Sequence, residues 1–120
     1  MRHAVLLVDD EVVFADSLAE RLNLRGFKTL VAYNGLSALD LFDEHKPGLV
    51  VLDLRLPDLD GTEVLLHMKK RDPGVRVVII TGHGSEEDRD RCTKLGAAAF
   101  LNKPVRLQTL VAALVGEEQA

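Results

Sequence analysis

Val50-Val51-Leu52-Asp53-Leu54-Arg55-Leu56-Pro57 carries the argument for how this chain folds. With Leu49 it opens as an unbroken apolar run of strand length, the pattern of a strand buried on both faces of a parallel sheet. The run stops at a single carboxylate, Asp53. Open α/β sheets bind ligands at the carboxyl ends of their strands. An Asp at such a place can equally begin a turn, so the meaning of Asp53 depends on what the other strand ends carry.

Upstream, Ala4 to Val8 is a second apolar run, closed by Asp9-Asp10-Glu11. One of these acids could cap the helix that follows, but three in a row exceed that need. From Val12 the spacing becomes helical: Phe14, Leu18 and Leu22 recur every fourth residue beside Ala15 and Ala19, and Gly26 supplies a stop. Phe27 to Ala32 is a strand of mixed polarity, as an edge position would allow. Asn34-Gly35 turns into a helix with the apolar stripe Leu36, Leu39 and Phe42, ended by Pro47-Gly48.

Beyond Asp53, the loop Leu54 to Asp60 leads to Gly61 and a helix bearing Val64, Leu65 and Met68, broken at Asp72-Pro73-Gly74. Val75 to Ile80 is a β-branched strand ending in Thr81, followed by Gly82-His83-Gly84. Ser85 and Asp88 fit an N-cap with an acidic first turn. The helix from Glu86 to Leu95 offers little more than Cys92 and Leu95 to a core and is expected to be held weakly. Ala97 to Leu101 forms the last strand, Asn102-Lys103-Pro104 follows, and a final helix from near Val105 carries Leu107, Leu110, Val111 and Leu114 on one stripe.

Five strand–helix units imply an α/β fold: a doubly wound five-stranded parallel sheet of order 2-1-3-4-5 with helices on both faces. At 120 residues the chain is one domain, assigned to residues 1–116, with 117–120 as a polar tail or the start of a linker. Its 47% hydrophobic and 28% charged residues suit a globular protein, and no apolar run reaches the ~18 residues of a membrane span. A net charge of −4, with Lys and Arg scattered, argues against nucleic acid as a direct partner. The single Cys92 excludes an internal disulfide, and the N-terminus enters a strand-like run too soon for a secretory signal, so the cytoplasm is the expected compartment.

In this strand order the ends of strands one and three lie side by side, bringing Asp9, Asp10 and Asp53 together. Clustered carboxylates repel one another unless a cation sits among them, and hard oxygen ligands suit Mg²⁺. Asp53 could then attack phosphorus as a carboxylate nucleophile and form an aspartyl-phosphate. Lys103 would supply a mobile cation and Thr81 a hydroxyl for the phosphoryl oxygens.

Val8-Asp9-Asp10-Glu11, Asp53 with Pro57, Thr81, Phe100 and Lys103-Pro104 occur in the order found in response-regulator receiver domains, and over essentially its whole length the chain resembles that flavodoxin-like family. The resemblance implies that Asp53 takes a phosphoryl group from a sensor histidine kinase or phosphotransfer protein. It implies that Asp10, Asp53 and the backbone carbonyl of Arg55 hold Mg²⁺, with Asp9 assisting through water. Thr81, Gly82 and Lys103 would bind the phosphoryl group, Thr81 and Phe100 would form the switch, and the peptide before Pro104 would be cis. Gly82 stands where such domains usually have Ala, and Phe100 where many have Tyr.

Arg55 and His83 flank the site and are expected to tune the lifetime of the aspartyl-phosphate. The surface of helix 4, strand 5 and helix 5 is expected to carry the signal to an output domain or into self-association. The domain is expected to be no enzyme beyond promoting its own phosphorylation and dephosphorylation. A small haloacid-dehalogenase-like phosphatase, the rival reading, needs a second acid two residues after the nucleophile, where this chain has Arg55.

Overall fold

A strand buried inside a parallel sheet must present apolar groups to both faces, and the runs found above do so. In the computed structural model, which describes residues 3–116, they form β1 (Ala4–Val8), β2 (Lys28–Ala32), β3 (Leu49–Leu52), β4 (Arg76–Thr81) and β5 (Ala99–Asn102). These alternate with α1 (Val12–Leu24), α2 (Gly35–His45), α3 (Gly61–Arg71), α4 (Glu86–Lys94) and α5 (Leu107–Val115). The sheet has the order β2-β1-β3-β4-β5 with every neighbouring pair parallel, the doubly wound topology expected, and β2 lies at an edge. The tail at 117–120 falls outside the described residues. Among the described residues no helix is long and apolar enough to cross a membrane.

Because successive strand side chains point to opposite faces, the core divides in two. Leu6, Val8, Val50, Leu52, Val77 and Ile79 meet Leu39, Phe42, Leu65, Met68 and Cys92 from α2, α3 and α4. Val5, Leu7, Val51, Val78 and Ile80 meet Ala15, Leu18, Leu22, Leu110 and Leu114 from α1 and α5.

Three local expectations need correction. The stripe of α2 that packs is Gly35, Ala38, Leu39 and Phe42. Leu36 lies about 100° round the helix from Gly35 and is 61% exposed. The last helix begins at Leu107, because Arg106 keeps extended backbone (φ −75°, ψ 140°) as its N-cap, while Val105 packs half-buried against the α1 side. β5 begins at Ala99, since the Ala97 amide is spent closing the end of α4 on the Cys92 carbonyl.

The weak anchoring expected of α4 is found: Cys92 is its one buried residue. Its start is nonetheless well made. The Ser85 hydroxyl accepts from the Asp88 amide at 3.1 Å and the Asp88 carboxylate accepts from the Ser85 amide at 3.1 Å, a reciprocal cap.

Candidate functional site

The sheet ladder continues one residue past its strands and thereby builds the site. The Asp53 amide donates to the Val8 carbonyl at 3.0 Å, which sets Asp53 beside Asp9. The Lys103 amide donates to the Thr81 carbonyl at 2.9 Å, which places Lys103 next to Thr81 on the neighbouring strand end. Behind Asp53, Gly61 is pressed against the backbone: a Cβ there would lie 2.5 Å from Leu54 Cα and 2.6 Å from the Asp53 carbonyl oxygen. Glycine is therefore required for the loop to return this tightly to the start of α3.

Asp9 and Asp53 are buried and Asp10 is exposed, and one carboxylate oxygen from each lies within 4.8 Å of the other two. Into this cluster reaches the Lys103 ammonium, 2.7 Å from Asp9 Oδ2, 2.8 Å from Glu11 Oε1 and 3.1 Å from Asp53 Oδ2. The remaining Asp9 oxygen accepts from the Glu11 amide at 2.9 Å, and Asp53 Oδ1 from the Arg55 amide at 3.2 Å. One cation thus serves three acids. Burial works against the Lys103 charge, but hydrogen bonds to Asp9, Glu11 and Asp53 outweigh it and hold the ammonium protonated beyond the ordinary lysine range. No single acid receives the whole cation, so burial still pushes the Asp9 carboxyl above its ordinary value, against the hydrogen bonds of Lys103 and the Glu11 amide. The Glu11 carboxyl, which stays in water, is lowered by its hydrogen bond from Lys103.

The other sequence-derived residues surround this centre at differing distances. Thr81 is fully buried at the end of β4, while Gly82 and His83 are exposed. The Arg55 side chain turns away from the acids: its Nη2 donates to the His83 carbonyl at 3.3 Å and lies 3.8 Å from Asp88 Oδ2. It ties the loop after β3 to the start of α4. Phe100 is buried beneath Gly84, where an added Cβ would come within 2.5 Å of the ring and 2.8 Å of Thr81 Cγ2. On the solvent side the Arg89 guanidinium lies 5.0 Å from the Phe100 ring centre. The Lys103–Pro104 peptide is cis.

Three participants have parts that sequence reasoning did not assign. Glu11 was visible as a third acid, yet its partner Lys103 lies 92 residues away. Phe14 belonged to a regular apolar stripe; it is half-buried, with the Lys103 ammonium 4.4 Å from its ring centre. Asp58, in the loop after β3, accepts from the Gly35 and Leu36 amides at 2.7 and 2.9 Å and braces that loop against α2. These backbone donors, Leu36 foremost, hold its carboxyl below the usual range.

The donor set suits a small hard cation. All of its ligand atoms are oxygens, two of the acids are buried, and the one ammonium pairs with three of the four carboxylates at these strand ends, an imbalance that a divalent ion would relieve.

The family model for the response regulator receiver domain matches residues 5–115. Sporulation initiation phosphotransferase F of Bacillus subtilis is 38% identical over 104 residues, which cover 87% of this chain and 84% of that protein. A response regulator receiver domain protein from Methanospirillum hungatei superposes with a TM-score of 0.93 at 28% identity, over 98% of this chain and 94% of the other. A response regulator from Burkholderia pseudomallei, crystallised with a phosphorylated aspartic acid, calcium ion and citrate, superposes with a TM-score of 0.89 at 31% identity, over 93% and 66% of the two chains. Among curated relatives the share of the relative's length that this chain spans falls from 84% to 25%. With its sheet order, its cluster of acids at adjoining strand ends and a match over nearly its whole length, the chain belongs to the family of response regulator receiver domains.

Proposed function

We propose that Asp53 is the phosphoacceptor, taking a phosphoryl group from a sensor histidine kinase or a phosphotransfer protein. The observation that carries this reading is the convergence of Asp9, Asp10 and Lys103 on one nearly buried carboxylate. An Asp53 oxygen forms the new bond to phosphorus while the bond from phosphorus to the donor's nitrogen breaks, and that bond's electron pair stays on the nitrogen. Lys103 gives up part of its hold on the acids and donates to a phosphoryl oxygen, with Thr81 and Gly82 bordering the same space. Asp10, Asp53 and the Arg55 carbonyl would hold Mg²⁺, with Asp9 assisting, and a bound divalent ion would neutralise charge on the phosphoryl oxygens. The phosphorylated aspartate and calcium ion of the Burkholderia relative support this assignment.

The signal leaves through α4, β5 and α5. Support comes from the contact of Gly84 with both Thr81 and Phe100, from the single buried residue of α4, and from Ala112 of α5, which is half-buried. A shift of Thr81 toward a phosphoryl group moves Gly84 and with it the lid over Phe100, which biases the face toward an output domain or a second copy.

Intact-mass measurement with acetyl phosphate tests the acceptor. One phosphoryl group is expected with Mg²⁺, none in excess chelator and none on Asp53→Asn; labelling in either control removes the assignment. Sedimentation with and without beryllofluoride, repeated on Ala112→Glu, tests the face. Phosphoryl-mimic-dependent association that the substitution abolishes is expected, and identical sedimentation in all four samples excludes self-association through it.

A further inference from the structure

We propose that Phe14 is a positioning residue for Lys103: its ring is a cation–π floor that keeps the ammonium at Asp53 while its hydrogen-bond partners change. The inference rests on the role proposed above for Lys103. An ammonium has three N–H donors, and those of Lys103 are committed to Asp9, Glu11 and Asp53 at 2.7, 2.8 and 3.1 Å. To contact an incoming phosphoryl group, at least one donor must be redirected. Lysine is a point charge on a long flexible stem, so at that moment fewer hydrogen bonds to the acids keep it from swinging into water. An aromatic face attracts a cation by position above the ring, without consuming a donor. The Phe14 ring, 4.4 Å from Nζ, provides such an attraction, and it survives the exchange of partners.

The fold does not call for an aromatic group here. Ala15, Leu18, Ala19 and Leu22 form the buried stripe of α1, and Phe14, one turn before Leu18, lies half-buried at its edge, packed against the same core. The chain has four phenylalanines; Phe27, Phe42 and Phe100 are buried, whereas Phe14 is half-buried. A leucine would cover the same apolar neighbours, Val105 and Leu107 across the groove between α1 and α5. What leucine lacks is the ring face under the ammonium.

The test measures the initial rate of Asp53 labelling by acetyl phosphate in wild type, Phe14→Leu and Phe14→Tyr, each with Lys103 intact and with Lys103→Met. Phe14→Leu is expected to slow labelling about five-fold, equivalent to about 1 kcal/mol at 1.36 kcal/mol per tenfold. Phe14→Tyr, which keeps the ring, restores most of that rate, and neither substitution matters once Lys103 is Met. A wild-type rate in Phe14→Leu, or an equal loss with Lys103→Met, overturns the inference, the latter because it marks a general packing effect. Proton NMR of the Lys103 side chain gives a readout independent of phosphorylation. Its ε-protons are expected to be shielded by the ring in wild type and Phe14→Tyr and unshielded in Phe14→Leu; no difference overturns the contact itself. Absence of any labelling in wild type would defeat the functional reading instead, and the NMR shift would still decide whether Phe14 holds Lys103.

Discussion

Replacing Lys103 by Met keeps a long apolar stem over Phe14 and removes the ammonium that bridges three acids. The cost can be worked from the contacts. The Glu11 contact involves a side chain 64% exposed, so it contributes only about 0–1 kcal/mol. The contacts with Asp9 and Asp53 are nearly dry, their side chains being 0% and 5% exposed. Breaking a buried pair by deleting one partner costs about 3–5 kcal/mol. The cluster opens to water at Asp10 and Glu11, which places the expected loss at the lower end, about 3 kcal/mol near neutral to mildly alkaline pH. Asp9 has an escape, which is to take up a proton. Lys103 pulls the Asp9 carboxyl down against its burial, so without Lys103 the folded-state pKa rises further above the unfolded value. The folded variant then binds more protons than the unfolded chain, and its stability falls as pH rises and recovers as pH falls. Urea unfolding in EDTA is expected to show the full loss near pH 8 and a smaller loss near pH 5. Mg²⁺ should return more stability to Lys103→Met than to wild type, since a bound ion replaces the missing cation. An equal loss at both pH values, or a variant as stable as wild type near pH 8, would refute the reasoning.

Gly61→Ala should destabilise by about 2–3 kcal/mol, because its Cβ would meet backbone atoms at 2.5 and 2.6 Å that cannot turn aside; an unchanged melting temperature would contradict this. Burial pushes the Cys92 thiol up to about 11, so near pH 8 it carries about a hundredfold less thiolate than a free cysteine. A thiol reagent should therefore label the folded chain slowly and the urea-unfolded chain at once, and fast labelling of folded protein would count against that burial. Arg55→Ala removes the tie to the His83 carbonyl and to Asp88. It should change the decay rate of the aspartyl-phosphate by a few-fold and speed amide exchange in α4, and unchanged decay and exchange would show that the tie is idle.

The elements were legible because this fold leaves a coarse signature. β3, β4 and most of β1 are buried on both faces, so Leu49 to Leu52 and its counterparts stand out as unbroken apolar runs. Once the order 2-1-3-4-5 is assumed, the clustering of Asp9, Asp10 and Asp53 follows, because parallel register carries strand ends to one edge. The weak hold on α4 was legible from composition. What escaped depends on distances along the chain or on the path of a loop. Nothing local says that Asp58 will reach the first amides of α2, especially as Asn34 already caps that helix through the Ser37 amide. A four-residue spacing marks Phe14 as helical and apolar but cannot say that its ring faces an ammonium 89 positions downstream. Leu36 was misplaced for a related reason, since a glycine at the true stripe position carries no apolar signal.

Trapping the phosphorylated residue chemically tests the central claim most directly. An acyl phosphate is reduced by borohydride to an alcohol, so the chain is incubated with acetyl phosphate and Mg²⁺, reduced, digested and sequenced by mass spectrometry. Homoserine at position 53, dependent on both reagents, is the result predicted. Homoserine at Asp9 or Asp10 with an unmodified Asp53, or no reduced residue in a chain that has gained a phosphoryl group, would contradict the assignment of Asp53 as the acceptor.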